Sequence, residues 1–155
     1  MTRYSLLLTL ALAACGGPNL AESSGFLEAY HERVCETAHA CRASFPVMQS
    51  FEDSYGASEG ECGASLLVDP LALEASVSAG RIVYSAADAE ACLAAIEATP
   101  CAQFFDEDYL FDLPPYSGCA TTLTPKVDDG GACATDFDCV GADGYCDAGA
   151  CSNNK

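Results

Sequence analysis

The sequence predicts a mainly α, disulfide-stapled small helical domain, followed by a small disulfide knot of short β-strands and turns. Three observations carry that expectation. Apolar residues recur at three- to four-residue spacing through much of the chain before the last cysteines, the period of helices with one buried face. The chain holds 11 Cys in 155 residues, a density at which cross-links supplement a modest core. Four of these, Cys133, Cys139, Cys146 and Cys151, stand close together among glycines and few large apolar groups, so that stretch cannot fold by burial alone.

Met1-Thr2-Arg3-Tyr4-Ser5 carries one positive charge and no acidic one, and leads into the apolar run Leu6 to Ala14. These are the n-region and h-region of a secretory signal, residues 1–14. The run spans about ten residues before the Gly16-Gly17-Pro18 breaker, whereas a bilayer-crossing helix needs roughly 20. A permanent transmembrane anchor is therefore not expected.

Leu12-Ala13-Ala14-Cys15 resembles the lipobox of bacterial lipoproteins, a large apolar residue and two small ones before a cysteine. The resemblance implies diacylglyceryl transfer to the Cys15 thiol, cleavage before it, and attachment of the mature chain to a membrane. The alternative is ordinary Ala-x-Ala-like cleavage nearby, with Cys15 incidental. Gly16 stands where enteric lipoproteins carry Asp as an inner-membrane retention signal, so the resemblance implies the outer membrane, on either side of it.

Cysteine arithmetic agrees, because an odd count in an exported chain leaves one thiol to explain. With Cys15 set aside, Cys35, Cys41, Cys62, Cys92, Cys101, Cys119, Cys133, Cys139, Cys146 and Cys151 can form five bridges in an oxidising compartment. Reduced cytosolic thiols or a zinc site would have to explain away the export signal. The 23 acidic residues face only 6 basic ones, of which Arg3 leaves with the signal. Such a surface repels phosphate backbones, which excludes nucleic-acid binding. Solubility of an exported chain accounts for the charge; attraction for a basic partner or divalent cations is the alternative.

Residues 15–24 read as the lipidated cysteine and a flexible tether, rich in breakers and small polar residues. A helical domain is expected over 25–123. Phe26, Tyr30, Val34, Ala38 and Cys41 share one face of a helix, with Glu28, Glu32, Glu36 and Arg42 on others. It should stop near Ser44-Phe45, because the residue before Pro46 is pushed out of the α region. Pro46 can open a second short helix through about Tyr55, closed by Gly56, with residues 57–61 a loop to Cys62. Pro70 to Ser78 is a further helix ended by Gly80, and Arg81 to Tyr84 a short extended link.

Ser85 is the expected N-cap of an Ala-rich helix, Ala86 to Ala98, with Asp88 completing a capping-box-like start and Pro100 preventing continuation. Ala89, Cys92, Leu93 and Ile96 should face the core. In the acidic and aromatic stretch Cys101 to Pro115 the aromatics of Phe104 to Phe111 are expected to pack back on the helices, the alternative being an exposed binding segment. Pro114-Pro115 and Thr124-Pro125 read as irregular links, and the turn Asp128-Asp129-Gly130-Gly131 opens the final module within a linker-and-knot region, 124–155.

Cys35 and Cys41 lie six residues apart, about 9 Å along an unbroken helix, beyond the roughly 7 Å that a bridge can span between Cα atoms. Each must therefore pair with a distant partner among Cys62, Cys92, Cys101 and Cys119; sequence leaves the choice open.

The terminal segment resembles the N-terminal cysteine-rich domain of Dickkopf-type secreted proteins in its spacing: Gly131-Ala132-Cys133, five residues, Cys139, then Tyr145-Cys146, four residues and Cys151. That resemblance implies a crossed pairing, Cys133 with Cys146 and Cys139 with Cys151, and a scaffold rather than a signalling role. The whole layout is similar to the cysteine-rich lipoproteins abundant in myxobacteria. The features that match are Cys15-Gly16-Gly17, a helix carrying Cys35 and Cys41, Arg81-Ile82-Val83-Tyr84 before an Ala-rich helix with Cys92-Leu93, and the final knot. It implies no activity and no catalytic residues.

His31, Cys35 and His39 share a helical face, but over about 12 Å of straight helix they cannot converge on one ion. Asp128, Asp129, Asp136, Asp138, Asp143 and Asp147 gather near the knot without the EF-hand order of ligands, and read as solvated acidic loops. Ser65, in Cys62-Gly63-Ala64-Ser65, is no nucleophile elbow, and no Cys-x-x-Cys suggests an oxidoreductase. No cofactor, metal or catalytic residue is expected. The expected function is a non-catalytic structural or protein- or ligand-binding role at the cell envelope, with membrane and an envelope or extracellular protein as partners. A small envelope hydrolase or metal-binding protein is the alternative.

Overall fold

The computed structural model describes residues 19–65, 69–105, 119, 121–141 and 144–153. The expected signal, Cys15 and the acidic and aromatic stretch beyond Phe105 lie outside the described residues.

Helix α1, Ser23–Ala40, buries Phe26, Leu27, Tyr30, Cys35 and Ala38 along its inner side. It begins inside the segment read as a tether. Ser23 is buried and its hydroxyl donates to Glu74 Oε2 at 2.7 Å. Leu20 packs on the main core, and a Cβ at Gly25 would overlap the Asn19 carbonyl. The fold thus claims residues 19–24 through contacts with distant groups, which no local period reveals. A 3₁₀ turn, Arg42–Ser44, ends the helical path, and Phe45 is extended before Pro46, as the ring of Pro46 requires.

Helix α2, Phe51–Tyr55, is shorter than expected. Pro46 opens only a turn, its carbonyl accepting from Gln49 N–H. The helix starts at Ser50, whose hydroxyl accepts from Asp53 N–H at 3.3 Å, and ends at Gly56 with φ +69°. Val47 and Met48, 98% and 92% exposed, bury no face that would hold an earlier start. Helix α3, Glu59–Ser65, replaces the expected loop. The Ser58 hydroxyl accepts from Glu61 N–H, and the Cys35–Cys62 bridge ties the helix to α1.

Helix α4, Pro70–Ser78, carries Asp69 as its cap, accepting from Leu71 N–H at 2.9 Å. Strand β1, Ile82–Tyr84, lies within the short extended link expected at Arg81 to Tyr84. Helix α5, Ala86–Ala98, has the Ser85 hydroxyl accepting from Asp88 N–H, and buries Ala89, Cys92 and Ile96 completely, with Leu93 packed beside them. Helix α6, Cys101–Phe104, is a single turn.

Strand β2, Leu123–Pro125, pairs antiparallel with β1, Val83 opposite Thr124. The stretch read as an irregular link at Thr124-Pro125 is thus a strand spanning the expected 123/124 boundary. The knot has a 3₁₀ turn, Asp136–Asp138, and a hairpin of β3, Tyr145–Asp147, and β4, Ala150–Ser152, with Cys146 opposite Cys151.

Two apolar clusters fill the helical part. The larger joins Phe26, Tyr30, Phe51, Ile96, Phe104 and Phe105 with smaller groups, and the smaller joins Leu27, Leu73 and Ile82. Phe104 and Phe105 are buried, ring centroids 5.0 Å apart at 89°, an edge-to-face arrangement favoured by aromatic quadrupoles.

The ten cysteines after Cys15 form five disulfides. Cys35 binds Cys62, Cys41 binds Cys101, and Cys92 binds Cys119. In the knot Cys133 binds Cys146 and Cys139 binds Cys151, a crossed pair. Cys35 and Cys41 therefore lead to different segments, α3 and α6.

Candidate functional site

The densest polar arrangement among the described residues centres on Asp138. Thr135 caps the 3₁₀ turn in a reciprocal capping box with Asp138. Asp138 Oδ2 accepts from Ala134 N–H at 2.7 Å and Thr135 N–H at 3.3 Å, and Oδ1 accepts from the Thr135 hydroxyl at 3.2 Å. Arg81 Nε donates to the same carboxylate at 2.9 Å, and Arg81 Nη2 donates to the Ser76 hydroxyl at 3.1 Å. The Asp138 side chain is 0% exposed and that of Arg81 27%.

Burial alone would raise the Asp138 pKa. Hydrogen bonds from Ala134 N–H, the Ser76 hydroxyl, Thr135 N–H and Arg81 outweigh it and hold the carboxyl below its ordinary value. The backbone adds to the junction: Lys126 and Val127 N–H both donate to the Asp138 carbonyl, and Lys126 N–H also to that of Arg81. Phe137 packs on the smaller apolar cluster. This node fastens the knot to α4 and β1, with its carboxylate oxygens committed to fixed donors. The solvated acidic loop expected at Asp138 is thereby corrected. The spacing of Thr135 and Asp138, three residues apart, is a local capping signal; nothing in the sequence marks Arg81 as the partner of Asp138, 57 residues away.

The other candidate groups do not converge. Cys35, between His31 and His39, is buried in its bridge to Cys62. His39 Nε2–H donates to the Tyr55 carbonyl at 3.2 Å, and its ring meets Phe51 edge-on at 5.0 Å. Burial lowers the His31 pKa, favouring the neutral ring. Asp136 Oδ1 accepts from Cys146 N–H at 2.7 Å, and Asp129 Oδ1 from Asn153 N–H at 3.1 Å, so both hold turns of the knot. Asp143 and the side chain of Ser65 lie outside the described residues.

The Sγ atoms of Cys133, Cys139 and Cys151 all lie within 4.8 Å of one another. Each is bound in a disulfide, so the trio offers no thiolate to a metal as it stands. Sequence spacing does not reveal this approach, because it arises where the fold brings the two bridges together.

Every described Phe and Tyr is buried or half-buried. Tyr84 donates to the Leu20 carbonyl at 2.7 Å, and burial, with the nearby Glu74 charge, pushes its pKa up to about 12. Arg33 lies 3.5 Å from both Glu36 and Glu97, and Arg42 pairs with Glu52 over the Phe51 ring. With Arg81 on Asp138, three of the described cations already face carboxylates.

Among the described residues, no helix is long and apolar enough to cross a membrane. Comparison with protein-family models, curated proteins and solved structures gave no match for this chain.

Proposed function

We propose that this chain is an exported lipoprotein, held at the cell envelope and by preference at the outer membrane through acyl chains on Cys15. Its folded part has a non-catalytic structural role, or binds a protein or ligand of the envelope or exterior. It is read as a cysteine-rich envelope protein of the myxobacterial type, with a Dickkopf-like terminal knot. One observation carries the reading: the other ten cysteines pair off completely in five bridges. The sulfur left over is the one that follows Leu12-Ala13-Ala14.

A non-catalytic role is supported by where the polar groups are engaged. The most buried of the described carboxylates, Asp138, holds the knot to the helices, and His39 holds the Tyr55 carbonyl. The test is detergent-phase partitioning of the native protein beside Cys15→Ser. The native chain should enter the detergent phase and the variant should remain in water. Equal partitioning of the two would remove the anchor.

A further inference from the structure

We infer that the knot contains an internal thiol–disulfide exchange path, in which Cys133 passes an opening made at the half-buried Cys133–Cys146 bridge to the buried Cys139–Cys151 bridge. The path needs an external dithiol to start it, and it does not depend on acylation of Cys15.

Three observations support it. Cys133 and Cys146 are half-buried, whereas Cys139 and Cys151 are 3% and 4% exposed, so an incoming thiol meets the first bridge sooner. The Cys133 sulfur belongs to the trio within 4.8 Å that includes both sulfurs of the buried bridge; the Cys146 sulfur stands outside that trio. Among the described residues the knot is the one place where three sulfurs gather in this way, so the helical bridges have no such path.

The chemistry balances as two exchanges and a resolution. A thiolate of the dithiol attacks Cys146 Sγ, the sulfur outside the trio, forming a mixed disulfide and releasing Cys133 as thiolate. That thiolate attacks Cys139 or Cys151, forming a new bond to Cys133 and releasing the other sulfur. The second thiol of the reagent then displaces Cys146 and closes the reagent's own disulfide. In total the dithiol loses two electrons and two protons. The knot loses one bridge, and the two protons end on Cys146 and on Cys139 or Cys151. Rates follow the thiolate fraction and access at each step.

The experiment treats the folded full chain with limiting dithiothreitol, quenches with acid, alkylates the free thiols and maps them by peptide mass spectrometry. The path predicts a singly opened knot labelled at Cys146 and at Cys139 or Cys151, with Cys133 in a disulfide. Label confined to Cys133 and Cys146, with Cys139–Cys151 intact, would overturn it, as would first opening of a helical bridge. Two variants provide a separate reading. Cys146→Ser should lose its free thiol from Cys133 and show it on Cys139 or Cys151, whereas Cys133→Ser should keep it on Cys146. A free thiol that remains on Cys133 in the first variant would contradict the path.

Discussion

The helical region and the knot reach order by different means. In the helical region Phe26, Phe51, Leu73, Ile96, Phe104 and Phe105 are buried in apolar clusters. Its three bridges join residues 27, 60 and 27 positions apart. On the chain-entropy view such long closures restrict the unfolded chain most, by about 3.5 to 4 kcal/mol each. The knot buries only Asp138, Cys139 and Cys151 among its described residues from 126 onward. Its closures span 13 and 12 positions, about 3 kcal/mol each on the same view. Where apolar burial is scarce, a hydrogen-bonded carboxylate and two crossed bridges take its place, and the result leans on its neighbour through Arg81.

That contrast can be broken first at the longest closure. Cys41→Ser/Cys101→Ser should lower stability by about 4 kcal/mol, yet leave a helical far-ultraviolet spectrum in water because the aromatic cluster persists. Urea unfolding followed by circular dichroism measures it, and an unmoved midpoint would mean that burial alone holds α1 to α6. Next, Asp138→Ala should cost about 3 kcal/mol, since it strands the Arg81 guanidinium and removes the acceptor of Ala134 and Thr135. Its effect should be local. Hydrogen exchange should quicken at knot amides while α1 and α5 keep their protection; equal loss everywhere would make the two regions one cooperative unit.

Acid sharpens the same point. The pKa of Asp138 is depressed from its ordinary 3.8, so its contribution is complete above that value and disappears as pH falls through the lower folded value. As pH falls from 5 through 3.8 and below, the native knot should therefore lose protection that Asp138→Asn has already lost at pH 5, and the difference between the two should shrink. Ser85→Ala should cost about 1 kcal/mol by leaving the Asp88 N–H without its cap. Least of all, Arg33→Ala should change the unfolding free energy read from the urea curve by under about 0.5 kcal/mol, because its pairs with Glu36 and Glu97 are exposed.

The helices were legible where local chemistry decides them. Phe26 to Cys41 repeats at helical spacing, and Ser85 and Pro100 delimit α5 by a cap and a forbidden continuation. Elements decided at a distance were not. Glu59-Gly60-Glu61-Cys62-Gly63 has two glycines and no apolar period, and α3 is tied to α1 by a bridge to Cys35. Strand β1 finds its partner at Leu123–Pro125, a pairing that requires the intervening chain to return. Asp136 and Asp138 look alike in the sequence, yet Asp136 caps an exposed amide and Asp138 lies wholly buried on Arg81. The same limit applied to the cysteines: rise per residue separated Cys35 from Cys41, but only the fold gives Cys62 to one and Cys101 to the other.

The most direct test of the cysteine framework is the mass of the mature chain extracted from membranes, alkylated before and after full reduction, with its N-terminal peptide sequenced. Five bridges and an acylated Cys15 require no label before reduction, ten labels after it, and a first residue Cys15 carrying diacylglyceryl. An eleventh label, a label before reduction, or a disulfide that includes Cys15 would contradict both the framework and the anchor.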